Sequence, residues 1–220
     1  MTRPALLSAL ARRIAETRAP HPVRVAIDGV DGAGKTTLAD ELAPQVQELG
    51  RPVVRSSVDF FHNPAELRYR RGRKSAEGYY RDSFDLEALR TRLLDPLGPG
   101  GDCHFRARSF DYRTDRAVEA PLENAPGDAV LLFDGVFLQR PELRGCFEIA
   151  IFLEVPFEET VARMVKRDGA PPELEDPGNQ RYVGGQRIYL RECDPAGRAD
   201  LLVDNTDLAS PRILRDTDSR

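Results

Sequence analysis

The sequence predicts an α/β fold in which a five-stranded parallel sheet is flanked by helices. Short β-rich runs alternate with segments of helical period along the chain, which is typical of strand–helix–strand units. Two of the runs, residues 129–134 and 147–153, are almost continuously apolar, as are strands that are covered on both faces. A glycine-rich turn joins the first run directly to a helical segment.

The predicted elements follow one another as a single domain over residues 1–220. Strands are predicted at residues 23–28, 52–58, 129–134, 147–153 and 199–204, and helices at residues 5–18, 36–49, 84–94, 157–167 and 182–192. Between the second and third strands, residues of about 60–125 are expected to form an insertion that covers a substrate. A mobile lid is expected at about residues 163–182, where Pro, Gly and acidic residues are frequent. The last dozen residues are polar and expected to be peripheral.

Composition limits the class of protein. The chain has 220 residues, of which 40% are hydrophobic and 31% charged, with a formal net charge of −4. These values favour a globular protein and argue against one that coats nucleic acid or anionic membranes. Three separated cysteines indicate neither a disulfide framework nor a cysteine zinc site. No segment resembles a signal peptide or a membrane span, so we expect a cytoplasmic protein without nucleic-acid or membrane partners, and a homo-oligomer stays open.

Residues Gly29–Thr36 carry the most specific motif, because they match the spacing GxxxxGK[ST]. A strand before it and a helix after it are the context that a P-loop needs. Glycines let backbone N–H groups converge on phosphates, and the helix that follows adds the positive end of its dipole. We therefore predict a P-loop NTPase fold that binds ATP. The predicted nucleotide-binding residues are Gly29, Asp31, Gly32, Ala33, Gly34, Lys35, Thr36 and Thr37.

Two aspartates end predicted strands at the edge where this loop lies. Asp134 ends the most apolar strand and is predicted, with Thr36, to hold Mg²⁺. Asp59 ends the second strand and could accept the proton of an attacking hydroxyl, as Lys35 neutralises the phosphates. In either case the alternative is an aspartate that only caps a turn.

Arginines are frequent near the predicted lid and in the insertion. Arg163, Arg167 and Arg181 bracket or follow the Pro-rich loop and could pair with the transferred phosphate, although a solvated surface is the alternative for each. Arg163 and Arg167 lie four residues apart on one helix face and are predicted to stabilise that phosphate. Residues 68–74 are strongly basic. Such a run is usually a solvated loop, and holding an anionic substrate is the alternative.

Aromatic residues cluster in the segments expected above the phosphates. They could stack on a base or a sugar, or they could pack the insertion's own small core. The predicted substrate-binding residues are Asp59, Phe61, His62, Phe110 and Tyr112.

The combined pattern resembles the uridine kinase family, in the wider group with phosphoribulokinase and pantothenate kinase. The resemblance covers about residues 23–204 and rests on Gly29–Thr36, the Asp-Phe-Phe segment at 59–61, Phe-Asp-Tyr at 110–112, Phe-Asp-Gly at 133–135 and residues 163–168. It implies the sheet order 2-3-1-4-5, an Asp59 base, an ATP- and Mg²⁺-dependent kinase and lid arginines at Arg163 and Arg167.

The resemblance is weaker where that family reads its nucleoside. His62 stands where the family has Tyr, Asp115 is nearest to its histidine, and its ribose-binding Asp is replaced near Tyr79. The P-loop wording also resembles thymidylate kinase, whose Asp-Arg-Tyr signature does not occur.

The resemblance implies a small-molecule hydroxyl as acceptor, with a nucleoside such as uridine or cytidine favoured. Pantothenate, a sugar and a nucleotide are alternative acceptors. A GTPase is disfavoured because no Asn-Lys-x-Asp motif occurs, and a nucleotide-binding module without catalysis is the remaining alternative.

Overall fold

The computed structural model of the protein describes residues 1–217. Its strands, in chain order, are β1 (Val23–Gly29), β2 (Val53–Ser57), β3 (His104–Phe105), β4 (Phe110–Asp111), β5 (Arg116–Ala117), β6 (Glu123–Asn124), β7 (Val130–Gly135), β8 (Ile149–Glu154), β9 (Leu201–Asp204) and β10 (Arg212–Asp216). Its α-helices are α1 (Arg3–Glu16), α2 (Lys35–Glu48), α3 (Ala65–Arg68), α4 (Ala76–Asp82), α5 (Leu86–Leu89), α6 (Phe157–Asp168), α7 (Gln180–Cys193) and α8 (Pro195–Arg198). Short 3₁₀ turns lie at Val58–Phe61 and Pro141–Leu143, and α5 continues as a π-helical turn over Arg90–Leu94.

The central sheet has the strand order β10-β9-β8-β1-β7-β2. The five predicted strands are parallel to one another and lie in the predicted order. A sixth strand, β10, pairs antiparallel with β9 and was not predicted. It is an edge strand whose residues are exposed or half-buried, so its sequence lacks the apolar pattern that revealed the others.

Successive side chains of the buried strands point to opposite faces of the sheet, which divides the apolar core into two layers. On β1, Val25 and Ile27 face a layer that also contains the apolar faces of α1 and α2. Ala26 faces the opposite layer, together with Phe133 of β7 and Tyr189 of α7. Because the sheet is covered on both faces, β1 and β7 are buried along their whole length.

The segment between β2 and β7 contains more regular structure than its sequence indicated. It holds α3, α4 and α5 and two short antiparallel pairings, β3 with β6 and β4 with β5. Close packing fixes α4 against α7, because a Cβ atom on Gly185 would lie 2.8 Å from Cδ1 of Tyr79. This contact brings α4 and α7 together above the C-terminal ends of the strands.

Within residues 1–217, no helix is both long and apolar enough to cross a membrane.

Candidate active site

The loop at Gly29–Thr36, called the P-loop below, is folded as a phosphate cradle. Gly32 and Gly34 have φ angles of 77° and 93°, in the left-handed region that favours glycine. A Cβ atom on Gly32 would lie 2.6 Å from the carbonyl oxygen of Thr160, so the position also requires glycine sterically. Lys35 donates from Nζ to the carbonyl oxygen of Val30 at 2.8 Å, and this bond holds its ammonium over the loop.

Oxygen ligands suited to a hard cation meet beside the P-loop. Thr36 donates from Oγ1 to Oδ2 of Asp134 at 2.7 Å, which joins the start of α2 to the end of β7. Asp134 also accepts a hydrogen bond from Nη2 of Arg55 at 3.1 Å, a contact that the sequence analysis missed. Groups of three or more metal-binding side chains are absent from residues 1–217. This donor set fits Mg²⁺, which takes few protein oxygens and fills its shell with phosphate and water.

Asp59 lies across from this cluster, in the 3₁₀ turn that follows β2. Its side chain opens into a cleft, yet the cleft walls remove much of its hydration. This desolvation, together with a smaller effect of the nearby Asp31 carboxylate, raises the pKa of Asp59 to about 6, against the opposing effect of Lys35. A carboxyl group with this pKa can exchange a proton near neutral pH.

Asp31, within the P-loop, is hydrogen-bonded to side chains of two helices, α4 and α7. Its Oδ2 accepts hydrogen bonds from Tyr79 of α4 at 2.9 Å and from Nε2 of Gln186 at 2.6 Å. The backbone N–H of Asp31 donates back to Oε1 of Gln186 at 3.1 Å. Sequence reasoning assigned Asp31 to the nucleotide but missed Tyr79 and Gln186, whose positions depend on how α4 packs against α7.

A buried pair supports the P-loop from below. Asp28, fully buried at the end of β1, accepts a hydrogen bond from the Tyr189 hydroxyl and another from the N–H of Gly29. Burial raises the pKa of Asp28 to about 6, although these hydrogen bonds act in the opposite direction. The pair ties α7 to the residue at which the P-loop begins.

Three adjoining cavities follow the edge of the sheet. The smallest, about 150 Å³, lies on the P-loop and reaches Asp59 and Asp134. A mainly apolar cavity of about 250 Å³ adjoins it, with Met164 and Leu208 in its walls. On the other side opens a cleft of about 630 Å³ between α4, α6 and α7, called the large cleft below.

The lid arginines have different surroundings. Arg167 lines all three cavities and pairs with Asp168 at 2.6 Å. Arg163 lines only the apolar cavity, and its guanidinium donates to the carbonyl oxygens of Asn205 at 2.9 Å and Thr206 at 2.8 Å. Arg167 is therefore close to both the phosphates and the large cleft, whereas Arg163 joins α6 to the loop after β9.

The predicted substrate-binding aromatics divide into two groups. Tyr112 and His62 line the large cleft, with ring centroids 5.1 Å apart. Burial lowers the pKa of His62 to about 4, so the imidazole is neutral at physiological pH. The prediction has to be corrected for two rings. Phe61 is fully buried against Phe133, and Phe110 is only 7% exposed and lies outside the lining of the cleft.

A phosphate cradle that faces a carboxylate across a cleft is the arrangement of a P-loop phosphotransferase. Solved structures share this fold. A chain described as a possible uridine kinase from Bacillus stearothermophilus superimposes with a TM-score of 0.72 and 24% identity, covering 93% of this chain and 98% of the other. Phosphoribulokinase from Rhodobacter spheroides gives a TM-score of 0.56 at 15% identity, covering 84% and 70%.

Sequence relatives of the chain include two kinds of kinase. Uridine kinase from Lactobacillus johnsonii is 23% identical over 189 residues, 83% of this chain and 86% of its own. Thymidylate kinase from Xanthomonas campestris is 31% identical over 166 residues, 73% of this chain and 68% of its own. No protein-family model matches the chain.

The chain belongs to the P-loop kinases, the group that contains thymidylate kinase, and it is similar to uridine kinases in sequence and to a possible uridine kinase and phosphoribulokinase in fold. It is accordingly an ATP-dependent phosphotransferase that acts on a hydroxyl group of a small molecule.

Proposed function

We propose that this kinase transfers the γ-phosphoryl group of Mg²⁺–ATP to a hydroxyl of a nucleoside, with Asp59 as the general base. The observation that carries the proposal is the position of Asp59. Its carboxylate lines both the P-loop cavity and the large cleft, at the junction where a donor phosphate and an acceptor hydroxyl would meet.

The nucleotide would lie along the two smaller cavities. Its base would occupy the apolar cavity beside Met164 and Leu208, and its phosphates would bind the P-loop amides and the ammonium of Lys35. Thr36 and Asp134 would hold Mg²⁺. Bound there, the cation neutralises phosphate charge. Arg167 would stabilise the charge of the group in transfer, because it lines every cavity involved.

Transfer requires a proton acceptor beside the attacking hydroxyl. Asp59 takes the hydroxyl proton while the acceptor oxygen forms a bond to the γ-phosphorus. The bond from that phosphorus to the β,γ-bridging oxygen breaks, and ADP leaves. A base of pKa about 6 is mostly ionised at neutral pH, so no cost of deprotonation precedes the step.

The nucleoside would bind in the large cleft, with its base near Tyr112 and His62. The names of the uridine kinase relatives support this acceptor. A sugar is the second candidate. A Silicibacter protein that carries the provisional name of a fructose transport system kinase has a TM-score of 0.67 and 27% identity, covering 87% of this chain.

An acceptor screen tests the proposal. ADP release from Mg²⁺–ATP is measured with nucleosides, nucleotides, sugars and pantothenate, using the wild type, Asp59→Asn and the exposed control Asp128→Asn. We expect acceptor-dependent ADP release that falls by about 10²- to 10⁴-fold in Asp59→Asn. The control should match the wild type. Undiminished transfer by Asp59→Asn would remove Asp59 from the role of base.

A further inference from the structure

Arg181 at the start of α7 is a buried cation without an acidic partner. Its side chain lines the large cleft, and the residue is only 5% exposed. Its nitrogens donate to two neutral carbonyl oxygens, of Ser75 at 3.2 Å and of Arg68 at 2.9 Å. The guanidinium also lies over the ring of Tyr69 at 4.8 Å. In the part of the chain that the structure describes, no aspartate or glutamate forms an ion pair with it.

Arg68 adds a second, partly satisfied guanidinium to the same wall. Its Nη2 pairs with Asp115 at 2.8 Å, and the side chain is 11% exposed. Its Nε is buried and has no hydrogen-bond partner. Two other arginines of the basic run, Arg70 and Arg71, both bind the buried carboxylate of Asp82 instead.

The two arginines lie at the end of the large cleft away from the P-loop. Asp31, Asp59 and Arg167 line both the large cleft and the P-loop cavity, so they mark the junction. Arg68 and Arg181 line only the large cleft. The two carboxylates at the junction, Asp31 and Asp59, are therefore separate from the two arginines, and the further carboxylate in the cleft lining, Asp168, pairs with Arg167.

A buried charge is costly unless a group of opposite sign pairs with it. Resting on the proposed phosphoryl transfer and on Asp59 as its base, but not on a neutral nucleoside as the acceptor, we propose that the acceptor itself is an anion. Its phosphate or carboxylate group binds Arg181 and Arg68 while its hydroxyl lies at Asp59. Guanidinium suits either group, since it forms paired, charge-assisted hydrogen bonds with both.

Calorimetry on matched probes tests this proposal without turnover. The P-loop is first filled with Mg²⁺ and the non-hydrolysable analogue β,γ-imido-ATP, so that probe phosphates cannot bind there. Three pairs differ by one anionic group: ribose and ribose 5-phosphate, uridine and uridine 5′-monophosphate, glycerol and glycerate. The third pair separates carboxylate from phosphate recognition. We expect the anionic member of at least one pair to bind about 10- to 100-fold more tightly than its neutral counterpart.

Variants assign the preference to the arginines. Arg181→Gln should abolish most of it, and Arg68→Gln should weaken it. Arg191→Gln is the matched control, because it removes the same charge from an exposed side chain of the same helix. If Arg181→Gln does not fold, the neutral–anionic comparison in the wild type and in Arg68→Gln still decides the question.

Three results would overturn the proposal: equal or tighter binding of every neutral probe, no binding of any anionic probe, or loss of nucleotide binding in Arg181→Gln, which would assign Arg181 to ATP. A transfer assay with ATP separates the two proposals. Anionic probes that bind through Arg181 but never receive phosphate would contradict the proposed function and leave the anion site standing.

Discussion

At the scale of single residues, Asp59 is unusual because its side chain reaches into the cleft while the surrounding walls desolvate its carboxyl group. Its raised pKa, about 6, means that it is protonated and inactive as a base in mildly acidic solution. We expect kcat/KM to rise as the pH passes through about 6 and to reach a plateau above it. Steady-state rates across this range provide the measurement.

Asn at position 59 provides the control for that profile. The pKa of Asp28 is also raised to about 6. If the residual activity of Asp59→Asn still rises with pH around 6, that pH dependence belongs to Asp28 or another group. The pH dependence of stability provides an independent test of the raised pKa of Asp59. A carboxyl group whose pKa is raised by folding destabilises the folded state above that pKa, and the penalty vanishes below about 4. Asp59→Asn should therefore raise the Tm at neutral pH and not in acid.

Tyr189 stabilises the ionised form of Asp28, and its hydroxyl also accepts the N–H of Gln139 at 3.0 Å. Tyr189→Phe leaves Oδ2 of Asp28 without this donor and the N–H of Gln139 without its acceptor, and we expect a loss of about 1–3 kcal/mol in the free energy of unfolding. Removal of a donor raises the pKa of Asp28 further, so the loss should be larger above pH 6 than below it.

Urea unfolding at two pH values measures this effect. Tyr182→Phe removes a hydroxyl from an exposed tyrosine of the same helix and should change little. A loss that is equal for the two variants would contradict the assigned role of Tyr189.

At the scale of elements, the packing of α4 on α7 positions Asp31. In Gly185→Ala the new methyl group would lie 2.9 Å from the carbonyl oxygen of Ala76, so the helices must separate. We expect a loss of about 1–3 kcal/mol in stability, together with lower kcat/KM, as Tyr79 moves away from the P-loop. Gly127→Ala is the control, since its site is open. Activity equal to that of the control would show that this packing does not govern the site.

Sequence patterns predicted elements well where local chemistry determines them. The apolar strands and the P-loop were found because their residue types have few alternative explanations. Residues 62–82 lack a clear period, so α4 was missed, and it forms because Tyr79 and Tyr80 pack against α7 and Phe137. The π-helical continuation of α5 has no signal that we can identify in its residues.

At the scale of the whole molecule, the site is assembled from distant segments. Asp59 and Asp134 could be predicted to meet, because Asp59 follows β2 and Asp134 lies near the end of β7, at one edge of the parallel sheet. The contacts of Arg181 with Arg68 and of Gln186 with Asp31 could not be predicted, since each joins residues more than a hundred positions apart in the chain. Their roles depend on tertiary packing, which no local pattern encodes. For the same reason Phe61 could not be distinguished in advance from Tyr112.

Titration of the protein with Mg²⁺–ATP tests most directly whether the P-loop is a working nucleotide site. We expect calorimetry to show saturable binding to the wild type and a rise in Tm, because a ligand that binds only the folded state stabilises it. Lys35→Ala, folded by circular dichroism, should bind more weakly and lose turnover by orders of magnitude. No heat of binding and no rise in Tm with well-folded wild-type protein, or turnover by Lys35→Ala close to that of the wild type, would contradict the account.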